Sequence, residues 1–374
     1  MFRPTAFCAF NHGSGRGRFF PGARRFFSRS PLSLGRSQYL GRFPRERLQI
    51  AAPRTGHCFF APDLRAGGSQ PGAGLRFRGM DKVGDLVNRQ TWLAPVETVL
   101  GATADTLFNN PFPFAQKVRN FFHGTWLGHP LHPVVTDVPV GAWTLAAVLD
   151  SYELASGDEK YAPGADVAIE IGLVAAVVAA LTGLNDWNAT SGKPKRVGSL
   201  HALINIIATL CYAGSWWQRR YGCRRAGLTS SLAGYAFAAA GAYFGGHLVY
   251  NQRIGVNHAP GELPENFVPV INESELRENV LHKASADGIP VVVVKRGGRI
   301  FVLAEKCSHL GGPLAEGEFD GERIRCPWHG SVFAIEDGRV IAGPATYSQP
   351  CFEVRVRGGQ IEVRRPSGTA PNPY

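Results

Sequence analysis

Methionine is nearly missing, with two in 374 residues, and lysine is missing altogether from residues 1–79. In that segment fourteen Arg face only Glu46 and Asp63, so it alone exceeds the whole chain's net charge of +11. The rest is close to neutral, and the basic composition says nothing about its partners. No nucleic-acid-binding motif accompanies the Arg, and no nucleic-acid partner is expected. The segment also lacks a sustained apolar period and is rich in Gly and Pro, which excludes a packed core. We read residues 1–79 as a disordered Arg/Gly/Pro-rich segment upstream of the true start, because Met80 stands where ordered sequence begins.

Cysteine is sparse as well. Seven residues, an odd number at irregular spacing, exclude a disulfide framework. Cys211 lies in an apolar run and Cys351 at the start of a strand, so both read as small core residues. Only Cys307 and Cys326 have His neighbours at ligand spacing.

Charge thins out between residues 133 and 250. Four apolar runs, 133–151, 167–184, 201–217 and 228–250, approach the roughly 20 residues that cross a bilayer. Trp and Tyr stand at their ends and charged loops lie between them. They predict a four-helix transmembrane domain over 129–250, preceded by an amphipathic helical lead-in over 80–128 that is broken at Pro and lies on the membrane surface.

In an up-down bundle, His129, His132, Asp137, Asp186, His201 and His247 fall on one face, and the chain leaves from that same face. Glu170 belongs to the opposite one. Ionisable groups at membrane depth are costly and mark function by default. His129, His132, His201 and His247 are therefore candidates for a haem b or quinone site, since neutral imidazole suits both.

The stretch "GHPLHPVVTDVPVGAW" at 128–143 resembles an uncharacterised family of four-helix bacterial membrane domains with a His-Pro-Leu-His-Pro motif. The resemblance covers roughly residues 85–255 and implies a multi-pass protein of the bacterial plasma membrane, sometimes fused to redox modules. Orientation by charge is divided between the loop "QRRYGCRRAG" and the basic residues at the chain's entry. Arg224-Arg225 loosely matches a twin-arginine export signal, whereas no secretory signal is evident. We expect the C-terminal domain on the cytoplasmic face.

After a Gly/Pro linker at 251–266 the period changes from helical to alternating. Hairpins are expected around Gly297-Gly298 and Gly358-Gly359, with an Asp-Gly turn between further strands, giving an all-β domain over 267–365 and a tail at 366–374. Its loops "CSHLGG" (307–312) and "CPWHGS" (326–331) each deliver one Cys and one His. Zinc fingers pair like with like along the chain, so the alternation favours a two-iron cluster over a zinc ion.

"CSHLGGPL", "CPWHGSVF" and the "GPA" at 343–345 resemble the Rieske [2Fe–2S] family. The resemblance implies that Cys307 and Cys326 ligate one iron and His309 and His329 the other. It also implies that Gly311, Gly312, Ser331, Phe333 and Pro344 surround the cluster. Respiratory members carry a disulfide at the positions of Gly312 and Trp328, and high-potential members a Tyr at Phe333. These departures point to the ferredoxin-like branch and a lower potential. Nine residues after the last strand leave no room for an oxygenase domain. The expected function is a membrane-anchored electron carrier exchanging single electrons with a redox partner protein or quinone. The alternative is a redox or iron sensor whose cluster state changes docking on the membrane domain.

Overall fold

The computed structural model describes residues 78–109 and 114–367, without the side chains of 78–81. The expectations for the first 77 residues and for most of the tail lie outside the described residues.

The lead-in is three helices: α1 (Arg78–Asn88), α2 (Ala94–Phe108) and α3 (Ala115–His123). Pro95 starts α2, where a missing N–H costs nothing, and Gly124 ends α3 in the left-handed conformation at φ 81°. Ion pairs tie the lead-in to the start of α6, with Asp85 to Lys193 and Glu97 to Arg196 both at 2.6 Å.

Four long helices follow: α4 (Leu131–Ser156), α5 (Ala162–Asn188), α6 (Gly192–Arg220) and α7 (Arg224–Gly246). Small residues let them approach closely. A Cβ on Gly172 would lie 2.2 Å from the Trp143 indole nitrogen, and Trp143 stacks on buried Tyr212 at 4.2 Å. Large apolar side chains also point outward, among them Val174 at 71% and Leu210 at 66% exposure. Helices apolar on both faces suit a bilayer and not water. Three of the four, α4, α5 and α6, are long and apolar enough to cross one, with mean hydropathies of 1.2, 2.3 and 1.5. The sequence count of four spans meets a limit at α7, whose Gly, Ser and Tyr dilute its apolar character.

The bundle end remote from chain entry carries a second set of ion pairs. Arg219, 4% exposed in its side chain, binds buried Asp150 at 2.5 Å and Asp166 at 2.9 Å. Arg224 grips Glu153 with two bonds of 2.7 and 2.6 Å. The Arg224-Arg225 pair is thus used inside the fold, through Arg224. Glu170 is at this end, bonded to Trp216 and Arg220.

Among the described residues the C-terminal part has ten strands in three antiparallel sheets: β1 (Val268–Asn272), β10 (Gln360–Arg364) and β9 (Glu353–Arg357); β2 (Leu281–Ala286), β3 (Ile289–Arg296) and β4 (Arg299–Ala304); and β5 (Glu318–Phe319), β6 (Arg323–Arg325), β7 (Val332–Ala334) and β8 (Val340–Ala342). β3 (Ile289–Arg296) explains how they share a core. Its alternation sends Val292 and Val294 into one apolar cluster, Val291 and Val293 into the other. The expected hairpins are present, β3 to β4 (Arg299–Ala304) through Gly297-Gly298 and β9 (Glu353–Arg357) to β10 (Gln360–Arg364) through Gly358-Gly359. β2 (Leu281–Ala286) escaped the sequence reading, although Asp287-Gly288 before β3 is a hairpin signal of the same kind.

Candidate metal centre

Two loops at one end of this β domain repeat the same backbone bonding. In the first, Cys307 N donates to Gly312 O at 2.9 Å and Gly311 N to Cys307 O at 2.8 Å. In the second, which joins β6 (Arg323–Arg325) to β7 (Val332–Ala334), Cys326 N donates to Ser331 O at 2.8 Å and Gly330 N to Cys326 O at 3.1 Å. Each Cys opens a turn that a glycine closes at positive φ, 77° for Gly311 and 76° for Gly330.

The turns aim unlike side chains at unlike places. Cys307 and Cys326 are buried together in the core cluster with Leu314, Ile324 and Phe333. The hydrogen bond from the Cys307 thiol holds Cys326 down, to about 7. That bond and burial push Cys307 up. His309 and His329 form a second pair toward the rim, rings 5.1 Å apart and nearly perpendicular at 87°. Burial lowers both, His309 to about 3 with further repulsion from His329, His123 and His258. Neutral imidazole is the metal-binding form.

Among the described residues, no three of these groups converge on one point that a single ion could occupy. A cluster with a thiolate pair on one iron and an imidazole pair on the other needs two separate pairs, and the donors present fit it.

The surrounding residues close the loops. A Cβ on Gly312 would sit 2.7 Å from Cys326 Sγ and 3.1 Å from the Trp328 ring, so neither a cysteine nor any other side chain has room there. Ser331 Oγ accepts from Ala345 N at 3.0 Å, which leaves its own hydroxyl proton to donate elsewhere. Pro344, after a cis peptide bond, belongs to the loop that Ser331 holds. Phe333 is wholly buried. Cys351 bridges to Leu303 and packs on the same core.

The Rieske [2Fe-2S] domain family matches residues 266–353. This chain carries a Rieske domain. Residues 128–258 match the family described as predicted membrane protein (DUF2231). Ferredoxin CarAc of Metapseudomonas resinovorans is 29% identical over 98 residues, 26% of this chain and 92% of that protein. Apoptosis-inducing factor 3 of Homo sapiens is 30% identical over 120 residues, 32% of this chain, which spans only 20% of that relative. Among solved structures, the ferredoxin of carbazole 1,9a-dioxygenase from Nocardioides aromaticivorans IC177 matches at 29% identity and a TM-score of 0.26, over 27% of this chain and 100% of that one.

Two residues around the Rieske loops had no motif to reveal them. Gln349, 1% exposed, donates to Ala304 O at 2.7 Å and Lys306 O at 2.6 Å and accepts from Ser308 N at 3.0 Å, which fixes the first loop. His123 reaches the domain from α3, its ring against Gly343.

The membrane histidines do not form one cluster. His132 and His201 meet, rings 6.3 Å apart, with their Nδ1–H groups donated to Ala179 O and Gly241 O, each at 2.9 Å. His129 is exposed and faces Tyr347 of the Rieske domain at 6.0 Å. His247 is buried beside Gly84 of α1. Asp137 is exposed. These residues lie at one end of the bundle by helix order, and at that end only His132 and His201 are in ring contact with each other among those described.

Proposed function

We propose that this protein is a membrane-anchored one-electron carrier, its [2Fe–2S] cluster held by Cys307 and Cys326 on one iron and His309 and His329 on the other. The observation that carries the reading is the pair of matching turns, each delivering one buried Cys and one rim His. When bound, the cluster supplies reversible one-electron iron chemistry. Two thiolates and two neutral imidazoles leave it less negative than four thiolates and raise its potential. The chain's own residues hold the donors still. Gln349 and Ser331 pin the loops, and Gly312 lets Cys326 approach the first of them. The ferredoxin named among the relatives supports electron transfer as the task.

The DUF2231 match and the long apolar helices support placement in a bilayer. We extend this to a fourth crossing by α7, which returns along α6 and brings His247 to Gly84 at the end where the chain entered. The Rieske domain then emerges at the entry end, on the cytoplasmic face in our reading, and exchanges electrons with a redox protein or quinone.

For haem b or quinone between His132 and His201 the support is narrower. His132 presents Nε2 once its Nδ1–H is given to a carbonyl, whereas His201 Nε2 already has Asn205 Nδ2 at 3.4 Å. Yet glycine backbone packs directly on them, a Cβ on Gly183 reaching within 2.7 Å of His132 and one on Gly245 within 3.2 Å of His201. A planar macrocycle would have to part the helices.

Electron paramagnetic resonance of the reduced, detergent-solubilised chain tests the carrier. A rhombic Rieske signal at two iron per chain is expected, and its absence sinks the reading. A sensor would instead require the Rieske domain's contacts with α3 to open when the cluster is reduced. Equal hydrogen exchange at 341–345 in both redox states speaks against it.

A further inference from the structure

The end of the bundle where the chain enters makes a contact that no motif announced. His123 closes α3 and is 5% exposed. Its Nδ1–H donates to Asp186 Oδ1 at 2.8 Å. Three residues earlier Asn120 turns both amide atoms to the Rieske domain, donating to Ile341 O and accepting from Gly343 N, each at 3.1 Å. A Cβ on Gly343 would lie 2.9 Å from His123 Cδ2, so the ring rests on that backbone without a gap.

The loop that follows Gly343 is tied equally well on its other side. Ala345 N donates to Ser331 Oγ at 3.0 Å and Ser308 Oγ to Tyr347 O at 2.7 Å. Ser308 O, one residue before His309, accepts from His258 N at 3.0 Å, and His258 is in the linker that leaves the bundle. Segment 341–347 is therefore gripped between the membrane domain and both Cys-His loops. An imidazole fixed by a carboxylate keeps one orientation, and here that orientation places it against the segment bordering His309.

We propose that His123, oriented by Asp186, is a positioning residue that the membrane domain supplies to the Rieske centre. It holds segment 341–347 closed over the His309 edge, so that this edge faces the bundle and is shielded from water. Electron exchange through His309 is then directed to the membrane, leaving the neighbouring His329, beside Trp328 at 57% exposure, as the edge nearer solvent. The inference rests on the cluster assignment proposed above.

The test uses the full-length holoprotein in nanodiscs and measures relaxation of the reduced cluster's spin by a water-soluble nickel chelate. The native protein is expected to respond weakly. His123→Ala, and independently Gly343→Ala, whose new Cβ strikes the His123 ring, are each expected to raise the effect several-fold with the rhombic signal retained. His123→Gln, which keeps a donor for Asp186, is expected to restore most of the shielding. Unchanged relaxation in both alanine variants overturns the proposal, as does a full effect in the Gln variant. If His123→Ala loses the cluster, Gly343→Ala decides alone. Absence of any rhombic signal from the native protein is a different failure, that of the cluster assignment.

Discussion

His123 Nδ1 donates to Asp186 Oδ1 at 2.8 Å, joining the last residue of α3 to the final turn of α5. With Asn185 Nδ2 donating to Arg119 O at 3.3 Å, this bond fixes the lead-in on the bundle end next to the Rieske domain.

Asp186→Leu removes the acceptor and leaves a buried imidazole N–H unsatisfied, which costs about 1–3 kcal/mol. Hydrogen exchange over residues 115–123 is expected to rise by the corresponding factor. The β9–β10 hairpin, far along the chain and in the sheet it shares with β1, is expected to keep its protection. Equal loss in both places would mean the bond stabilises the whole molecule and not the docking of α3.

Arg219→Leu is expected to be the most damaging change at the opposite end. It strands Asp150, 0% exposed, without its partner at 2.5 Å, and breaking a buried pair this way costs about 3–5 kcal/mol. Thermal unfolding in detergent reads the loss. The double variant Arg219→Leu with Asp150→Leu removes both charges and is expected to recover much of it.

How far this was legible in the sequence differs by element. The two Gly-Gly hairpins and both ligand loops could be read because glycine at positive φ and the Cys-His pairs are local signals. The helices could be read from their apolar runs. What could not be read was rotation and long-range contact. His132 and His201 come together while His129 faces Tyr347, and His123 contacts Gly343, 220 positions later, by packing that no spacing encodes. Gln349 is the plainest case, a lone polar residue whose three bonds depend wholly on tertiary placement.

Gly312→Ala tests the fit of the two loops. Its Cβ would sit 2.7 Å from Cys326 Sγ, a buried sulfur that cannot withdraw freely. Overpacking of this kind costs about 1–3 kcal/mol, and here it falls between the two loops that must close together. Iron content per chain is expected to drop severalfold while the β2–β3–β4 sheet keeps its circular dichroism. Full iron loading in this variant would show that the loops open more widely than their bonding suggests.

Phe333→Tyr tests whether phenylalanine at this position sets a lower potential. Phe333 is wholly buried in the cluster shared with Cys307 and Cys326. A hydroxyl added there enters the same buried cluster as the two sulfurs. A donor to a ligand sulfur stabilises the reduced, more negative state over the oxidised one, so the midpoint potential rises. One net hydrogen bond of about 1 kcal/mol corresponds to on the order of 40 mV for a one-electron couple. A potentiometric titration followed by paramagnetic resonance is expected to give a shift of that sign and size, with unchanged iron content. A fall in potential would mean that the new hydroxyl does not donate to a sulfur and instead disturbs the packing around the loops.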